Sequence, residues 1–254
     1  MKVITLNTWG GRAGKTLLLD FFKKYKDVDI FCLQEIWSAP HEHLQGYLAG
    51  GWKLDYTQVI TQALQEISAL LSGFTPFFCP LIGDNYGLLI LVKNNLTVKE
   101  DGEMFVYKHK GYMSKDDIGD HGRPIQYVTL NFKDSQITII NFHGAWIKGV
   151  NKTDTADRIK QSKKIVEFIK SLKNDFILCG DFNILPDTES MAILEKASLI
   201  NLIKKYNITS TRTSFYTKPD KYADYIFVSK GIDVKTFKVL PEEVSDHSAL
   251  FLEI

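Results

Sequence analysis

The stretch Asp175–Asn183, Asp-Phe-Ile-Leu-Cys-Gly-Asp-Phe-Asn, delivers a carboxylate and a carboxamide two residues apart at the end of an apolar run. Phe176–Cys179 is short, follows a helical pattern and breaks at Gly180, which reads as a buried parallel strand. Side chains alternate along an extended chain, so Asp181 and Asn183 are expected to face the same way with Phe182 packed behind. Open α/β sheets build their sites at such strand ends. Gly, Asp and Asn are equally ordinary turn residues, so this stretch alone leaves a plain turn open.

The pattern recurs. Asn7, Glu35, His143, Asp224 and the pair Asp246-His247 each stand where an apolar run stops. Most of the 30 acidic residues occupy charged, solvated stretches, whereas Glu35, Asp181, Asp224 and Asp246 follow or interrupt apolar ones. A carboxylate at the mouth of a buried strand needs a partner, and a cation is the obvious one. The mixture of carboxylate, amide and imidazole suits phosphate or metal chemistry. Taken singly each residue is weak, and a lone His143 reads first as a core histidine.

Alternating apolar runs place strands at Lys2–Asn7, 29–34, 86–92, 125–132, 136–142, 223–229, 234–240 and 249–254. Glu35 is expected at the end of the second strand, and the loop 131–135 is expected to close a hairpin. Helical spacing marks 14–25, with Leu18, Phe21, Phe22 and Tyr25 on one face. It also marks 55–72, stopped by Gly73, and Asp187–Ala197. Asp154–Leu172 carries an apolar stripe at Ala156, Ile159, Val166, Ile169 and Leu172, with its lysines largely outside it. Two groups of strands with intervening helices predict two packed sheets flanked by helices.

The 254 residues contain no linker-like, low-complexity or repeated segment, so one domain over 1–254 is expected. A formal net charge of +1 excludes a protein that coats nucleic acid by charge alone, though not a local basic groove. Cys32, Cys79 and Cys179 are an odd number and read as buried thiols. The N-terminus enters a strand directly, and no apolar stretch nears the roughly 20 residues of a membrane span. A cytoplasmic monomer without membrane insertion is the expectation.

In the order Leu6-Asn7-Thr8-Trp9, Leu33-Gln34-Glu35, Asn141-Phe142-His143, Gly180-Asp181-Phe182-Asn183, Asp224-Tyr225-Ile226 and Ser245-Asp246-His247, the chain resembles the endonuclease/exonuclease/phosphatase superfamily. The resemblance implies a deoxyribonuclease I-like four-layer α/β/β/α sandwich, with two mostly antiparallel or mixed sheets between helices. It implies hydrolysis of a phosphoric ester with Mg²⁺ or Mn²⁺. Glu35 would bind the ion, with Asn7 and Asp246 near it. Asp181 would orient or deprotonate the attacking water, and Asn183 would hold that water or a phosphoryl oxygen. His247, kept in its tautomer by Asp224, would contact the phosphate, and His143 would donate to another oxygen or assist the leaving group. Hard oxygen ligands and charge neutralisation are what a phosphodiester, a poor electrophile, requires.

Exonuclease III-type members generally carry tyrosine where this chain has His143, which directs the reading to the deoxyribonuclease-, sphingomyelinase- and phosphatase-like branches. Arg123 is placed to reach a phosphate, and Trp37 and Trp146 to stack on a base or pack on a lipid headgroup; an exposed loop arginine and core tryptophans are the alternatives. No long apolar docking loop is present. The first reading is therefore a nuclease acting on DNA, with a phospholipid or inositol phosphate hydrolase as the alternative. A non-catalytic phosphate- or nucleotide-binding module is the rival class. Gly10–Thr16 imitates a P-loop but leaves three residues, not four, between Gly10 and Gly14-Lys15-Thr16.

Overall fold

The computed structural model describes residues 1–197 and 199–254, with the backbone alone for Glu42. In chain order, β1 (Lys2–Asn7), α1 (Lys15–Lys24) and β2 (Ile30–Trp37) lead to the short β3 (Leu48–Ala49) and β4 (Trp52–Lys53). Then come α2 (Ala63–Leu70), β5 (Phe74–Ile82), β6 (Tyr86–Lys93), β7 (Val98–Tyr107), β8 (Arg123–Phe132) and β9 (Ser135–His143). α3 (Ala156–Ser171), β10 (Asp175–Asp181), α4 (Glu189–Lys196), β11 (Ile200–Asn201) and α5 (Leu202–Lys205) follow. β12 (Asp224–Val228), β13 (Thr236–Val239) and β14 (Leu250–Glu253) complete the chain.

One sheet has the order β13-β14-β1-β2-β6-β5 and the other β11-β12-β10-β9-β8-β7. Each is antiparallel except for its central pair, β1 with β2 and β9 with β10, which run parallel. Those pairs bring the strand ends Asn7, His143 and Asp181, with Glu35 inside β2, to the same edge of their sheets, where α/β folds place ligands. Alternation assigns the faces. Val3, Ile30, Cys32 and Ile90 pack against the second sheet, while Ile4, Leu6, Phe31 and Leu33 pack outward with Leu18, Phe22 and Ile67 of α1 and α2. On the far side, Ile165 and Ile169 of α3 and Met191 and Leu194 of α4 join the core. The result is the four-layer α/β/β/α sandwich that the resemblance implied.

Behind the site the two sheets are bolted by polar groups. Gln34 Nε2 donates to Asn141 Oδ1 at 2.7 Å, and Asn141 Nδ2 donates to the Leu33 carbonyl at 3.0 Å and to Gln126 Oε1 at 3.2 Å. A buried pair of this kind fixes the register between sheets, because sliding either one strands an amide.

Several expected elements differ. The helix expected over 55–72 is a 3₁₀ turn at Tyr56–Gln58 followed by α2, since Asp55 caps that turn by accepting from the Thr57 amide and the chain then extends at Val59. β5 and β7 escaped the pattern because both are edge strands: Pro76 and Pro80 interrupt one, while Lys99, Glu100, Asp101 and Glu103 charge the other. The buried face of α3 is Arg158, Gln161, Ser162, Ile165 and Ile169, rotated from the expected stripe, because its first turns grip the preceding loop through polar bonds. The 131–135 hairpin closes as expected, with Asn131 opposite Gln136. All three cysteines are buried and free.

Candidate active site

Glu35 does not end its strand. The pairing of β2 with β6 slips by one residue between Leu33 and Ile36, and Glu35 takes φ 61° there. This β-bulge inserts one extra residue, returns Ile36 to the outer core and turns Glu35 out of the alternation, as bulges beside sites do. Asp181 is paired in register with both His143 and Asp224, so three strands deliver three functional side chains side by side. Gly180 makes this possible: at φ 137°, a Cβ there would lie 1.9 Å from the Phe142 carbonyl oxygen. Asn183 sits at φ 52°, off the expected extended path, so the two side chains are not related by simple alternation. Its amide N–H donates to Asp181 Oδ1 at 2.8 Å, and its Nδ2 donates to the Gly144 carbonyl at 3.3 Å.

Asn7 links the two sheets. Its Nδ2 donates to Glu35 Oε1 at 2.9 Å and to Asp181 Oδ2 at 3.0 Å. Its Oδ1 accepts the Trp9 backbone N–H at 2.9 Å. That N–H can only donate, which sets the amide orientation: Asn7 presents hydrogens, not its oxygen, to the carboxylates. It stands beside Glu35, the residue expected to bind the ion, as the resemblance implied. Asn7 holds Glu35 and Asp181 in place. Around them, His143 Nε2 lies 3.6 Å from Asp181 Oδ2 and 4.0 Å from Glu35 Oε1. His247 Nε2 lies 3.6 Å from Asp181 Oδ2 and 3.7 Å from Asp246 Oδ1. His247 Nδ1 is 2.9 Å from both Asp224 oxygens, the arrangement that orients an imidazole.

Burial alone would raise the Asp181 carboxyl, but His247, His143, Lys152 and Arg212 outweigh it and hold the group well below the ordinary range. Asp181 is an anion throughout the neutral range. Glu35 moves the other way: desolvation raises it, against the Asn7 hydrogen bond and His247. His143 is pushed well down by burial and by Arg123, so it is a neutral imidazole. His247 is raised, because Asp224, Asp246 and Asp181 overcome burial and Arg212. Two histidines a few ångströms apart are thus shifted in opposite directions by their neighbours.

These groups form the floor of a cleft of about 390 Å³. All four tryptophans of the chain, Trp9, Trp37, Trp52 and Trp146, line it. Trp37 is buried against Tyr56 and Tyr86, while Trp146 is half-buried at the wall. Arg12 stacks on both Trp52 and Trp9, its Cζ 3.8 Å and 4.5 Å from the two ring centroids. Arg123 is not an exposed loop residue but a fully buried cation facing the cleft, with Nη2 donating to the Gly119 carbonyl at 2.8 Å.

Sequence reasoning missed Lys152, Arg212, Tyr216 and His121, all on the cleft wall. Lys152 follows Gly149-Val150-Asn151 in a loop that looks solvated, but Arg158 donates to the carbonyls of Ala145, Asn151 and Thr153 and folds that loop inward. Arg212 is drawn in by a β-bridge to His247 and by its ion pair with Asp246, Nη1 to Oδ2 at 3.2 Å. Lys15, the decoy P-loop lysine, pairs instead with Glu66 at the exterior.

Two sets of residues could hold a cation. One ligand atom each from Asp181, Asp224 and His247 lie within 4.8 Å of one another, yet both Asp224 oxygens are committed to His247 Nδ1. Glu35 and Asp246 fit a divalent ion better. Both line the cleft, the Asp246 charge contributes to raising Glu35, and the buried Asp246 Oδ1 has no hydrogen-bond partner. Hard carboxylate oxygens are the donor set such an ion requires.

The sequence profile of the endonuclease/exonuclease/phosphatase family matches residues 4–247. The chain belongs to that family. As a member it is a metal-dependent phosphoric ester hydrolase, and the expected non-catalytic alternatives fall away. Solved structures agree on the fold. A mannosyl-6-phosphatase of Bacteroides thetaiotaomicron is 18% identical, with coverage of 100% of this chain and 98% of that one and a TM-score of 0.69. A humanized D. rerio TDP2 is 15% identical over 99% and 97%, with a TM-score of 0.71. The human Nocturnin catalytic domain is 19% identical over 99% and 92%, with a TM-score of 0.66. No curated protein sequence matches the chain.

Proposed function

We propose that this family member hydrolyses a phosphate ester with Mg²⁺ or Mn²⁺ held by Glu35 and Asp246, using Asp181 to orient and deprotonate the attacking water. The ion supplies charge neutralisation at the phosphoryl oxygens. The chain's own groups do the rest. Asn7 keeps the Glu35 and Asp181 carboxylates at fixed separation. His247, steadied by Asp224 and raised by the surrounding carboxylates, meets one phosphoryl oxygen, and the neutral His143 donates from Nε2 to another. Asn183 holds the water or a phosphoryl oxygen beside Asp181. The observation that carries this reading is the single contact network joining Asn7, Glu35, Asp181, His143 and His247 across two sheets.

Nucleic acid is the first substrate class in this proposal, supported by aromatic faces of Trp9, Trp52 and Trp146 beside the phosphate centre, where bases can stack. A terminal or small phosphate monoester is the second, favoured by buried cations on the wall that a single-charged diester leaves uncompensated. The test is release of p-nitrophenol from mono- and bis(p-nitrophenyl) phosphate, and of product from DNA, RNA and sphingomyelin, with Mg²⁺, with Mn²⁺ and with EDTA. Turnover that survives EDTA, or that survives Asp181→Asn, refutes the mechanism.

A further inference from the structure

Buried polar atoms in a folded protein find partners, and those that do not point to something absent from the chain itself. Six cleft-lining residues carry such atoms: His121 Nε2, Arg123 Nε and Nη1, His143 Nδ1, Lys152 Nζ, Arg212 Nε and Asp246 Oδ1. All but one are nitrogens. The cleft floor already accounts for a metal and for the two histidines. Lys152 and Arg212 are surplus to it, and they are close: Lys152 Nζ lies 5.4 Å and Arg212 Cζ 3.9 Å from the centroid of the same Tyr216 ring.

Two like charges placed together under burial repel one another and have lost their water. Burial and then Arg212 bring the Lys152 ammonium down to about 8. Lys152 is nine-tenths buried, and its ammonium has no partner. An uncompensated buried cation is destabilising unless a ligand supplies the opposite charge. The ligand class follows from phosphate chemistry. A phosphodiester offers two non-bridging oxygens and one charge; a monoester offers three and carries between one and a half and two charges near neutrality, since its second pKa is about 6. In a diester the third position is an uncharged ester oxygen bearing a carbon chain.

We propose that Lys152 and Arg212, over the ring of Tyr216, form a cradle for the third, unesterified oxygen of a phosphate monoester, so that the enzyme selects a terminal phosphate over an internal phosphodiester. The proposal rests on the phosphoric ester hydrolase reading and sharpens its second substrate class. Arg212 is tied through Nη1 to Asp246 and leaves Nε free, so it positions itself against the floor while facing the anion. A nucleic-acid strand end carrying a terminal phosphate satisfies both the cradle and the aromatic wall.

The experiment compares kcat/KM for p-nitrophenyl phosphate and bis(p-nitrophenyl) phosphate in the wild type, Lys152→Met, Lys152→Gln and Lys152→Arg. Monoester-over-diester preference should fall about tenfold or more in the Met and Gln variants, the loss of one charge-assisted contact to the anion, and recover partly in Lys152→Arg. Equal losses on both esters, or none, overturn the cradle. In parallel, calorimetry measures inorganic phosphate binding in EDTA, which reads the cradle without turnover. Binding should weaken about tenfold or more in Lys152→Met; unchanged binding, or no binding to the wild type at millimolar phosphate, overturns the proposal. A wild type that binds phosphate through Lys152 but hydrolyses neither ester would instead refute the hydrolytic reading and leave the cradle standing. Lys152→Met should melt at or above the wild-type temperature without ligand, which separates lost recognition from lost folding.

Discussion

The floor and the wall of the cleft are built by different physics. On the floor, Asn7, His143, Asp181 and Asp224 belong to strands whose backbones are hydrogen-bonded in register, so their separations are set by the sheet ladder. The wall is loop. Its shape rests on a few side chains that capture backbone groups: Asp117 accepts from the amides of Gly50, Gly51 and Gly119 at 2.7–2.9 Å, and Arg158 gathers the carbonyls of the 145–153 loop. Gly119 in turn accepts from Arg123, so one carboxylate ties together the Trp52 loop and a buried cation. The difference teaches how each part is held: the floor is fixed by the sheet ladder, whereas the wall hangs on contacts that single substitutions can loosen.

That contrast can be broken most sharply at the floor. Asp181→Asn and His247→Ala should each lower kcat/KM by about 10²–10⁴-fold while circular dichroism and melting stay near wild type. Wild-type-like turnover by both would mean that the floor is not the reaction centre.

Lys152 offers a test by pH. Its folded-state value near 8 lies below its ordinary 10.5, so between these values the unfolded chain binds more protons and stability rises with pH. The charge penalty is fully present below pH 8 and gone above 10.5. Melts in EDTA should therefore show Lys152→Met more stable than wild type at pH 7, by an amount on the order of 1–3 kcal/mol, with the gap closing by pH 10.5. A gap independent of pH would show that this ammonium is not desolvated.

At the wall, Asp117→Asn should cost about 1–3 kcal/mol, since a neutral amide cannot satisfy three amide donors as the carboxylate does. Hydrogen exchange at Gly50, Gly51 and Gly119 should accelerate, with KM rising more than kcat falls. Trp52→Ala should have the smallest effect. It removes one face of the Arg12 stack, and KM should rise about three- to tenfold with kcat held. A collapse of kcat in either wall variant would erase the division between floor and wall.

Much of the floor was readable because the signal was local. A polar residue that stops an apolar run is visible in one dimension, and Asn7, His143, Asp181 and Asp224 all lie at such stops. Glu35 was visible as a residue but not as a bulge, since its positive φ is imposed by the pairing with β6. β5 and β7 were invisible for the opposite reason: edge strands need not alternate, and prolines and charges protect them from pairing further. Lys152 resembles any loop lysine until Arg158 turns its loop inward. Arg212 resembles any arginine until the segment between β13 and β14 bridges it at His247 and pairs it with Asp246.

The amino-acid order by itself determined which residues would stand at the ends of core strands, because burying a strand constrains every second side chain and makes a polar group that stops an apolar run conspicuous at its mouth. Tertiary structure alone decided that Asn7 turns its hydrogens toward the carboxylates, that His143 is pushed down while His247 is raised, and that Lys152 shares one tyrosine ring with Arg212 yet has no partner of its own. Orientation, charge state and desolvation are sums over neighbours brought from distant parts of the chain, and no local pattern contains them.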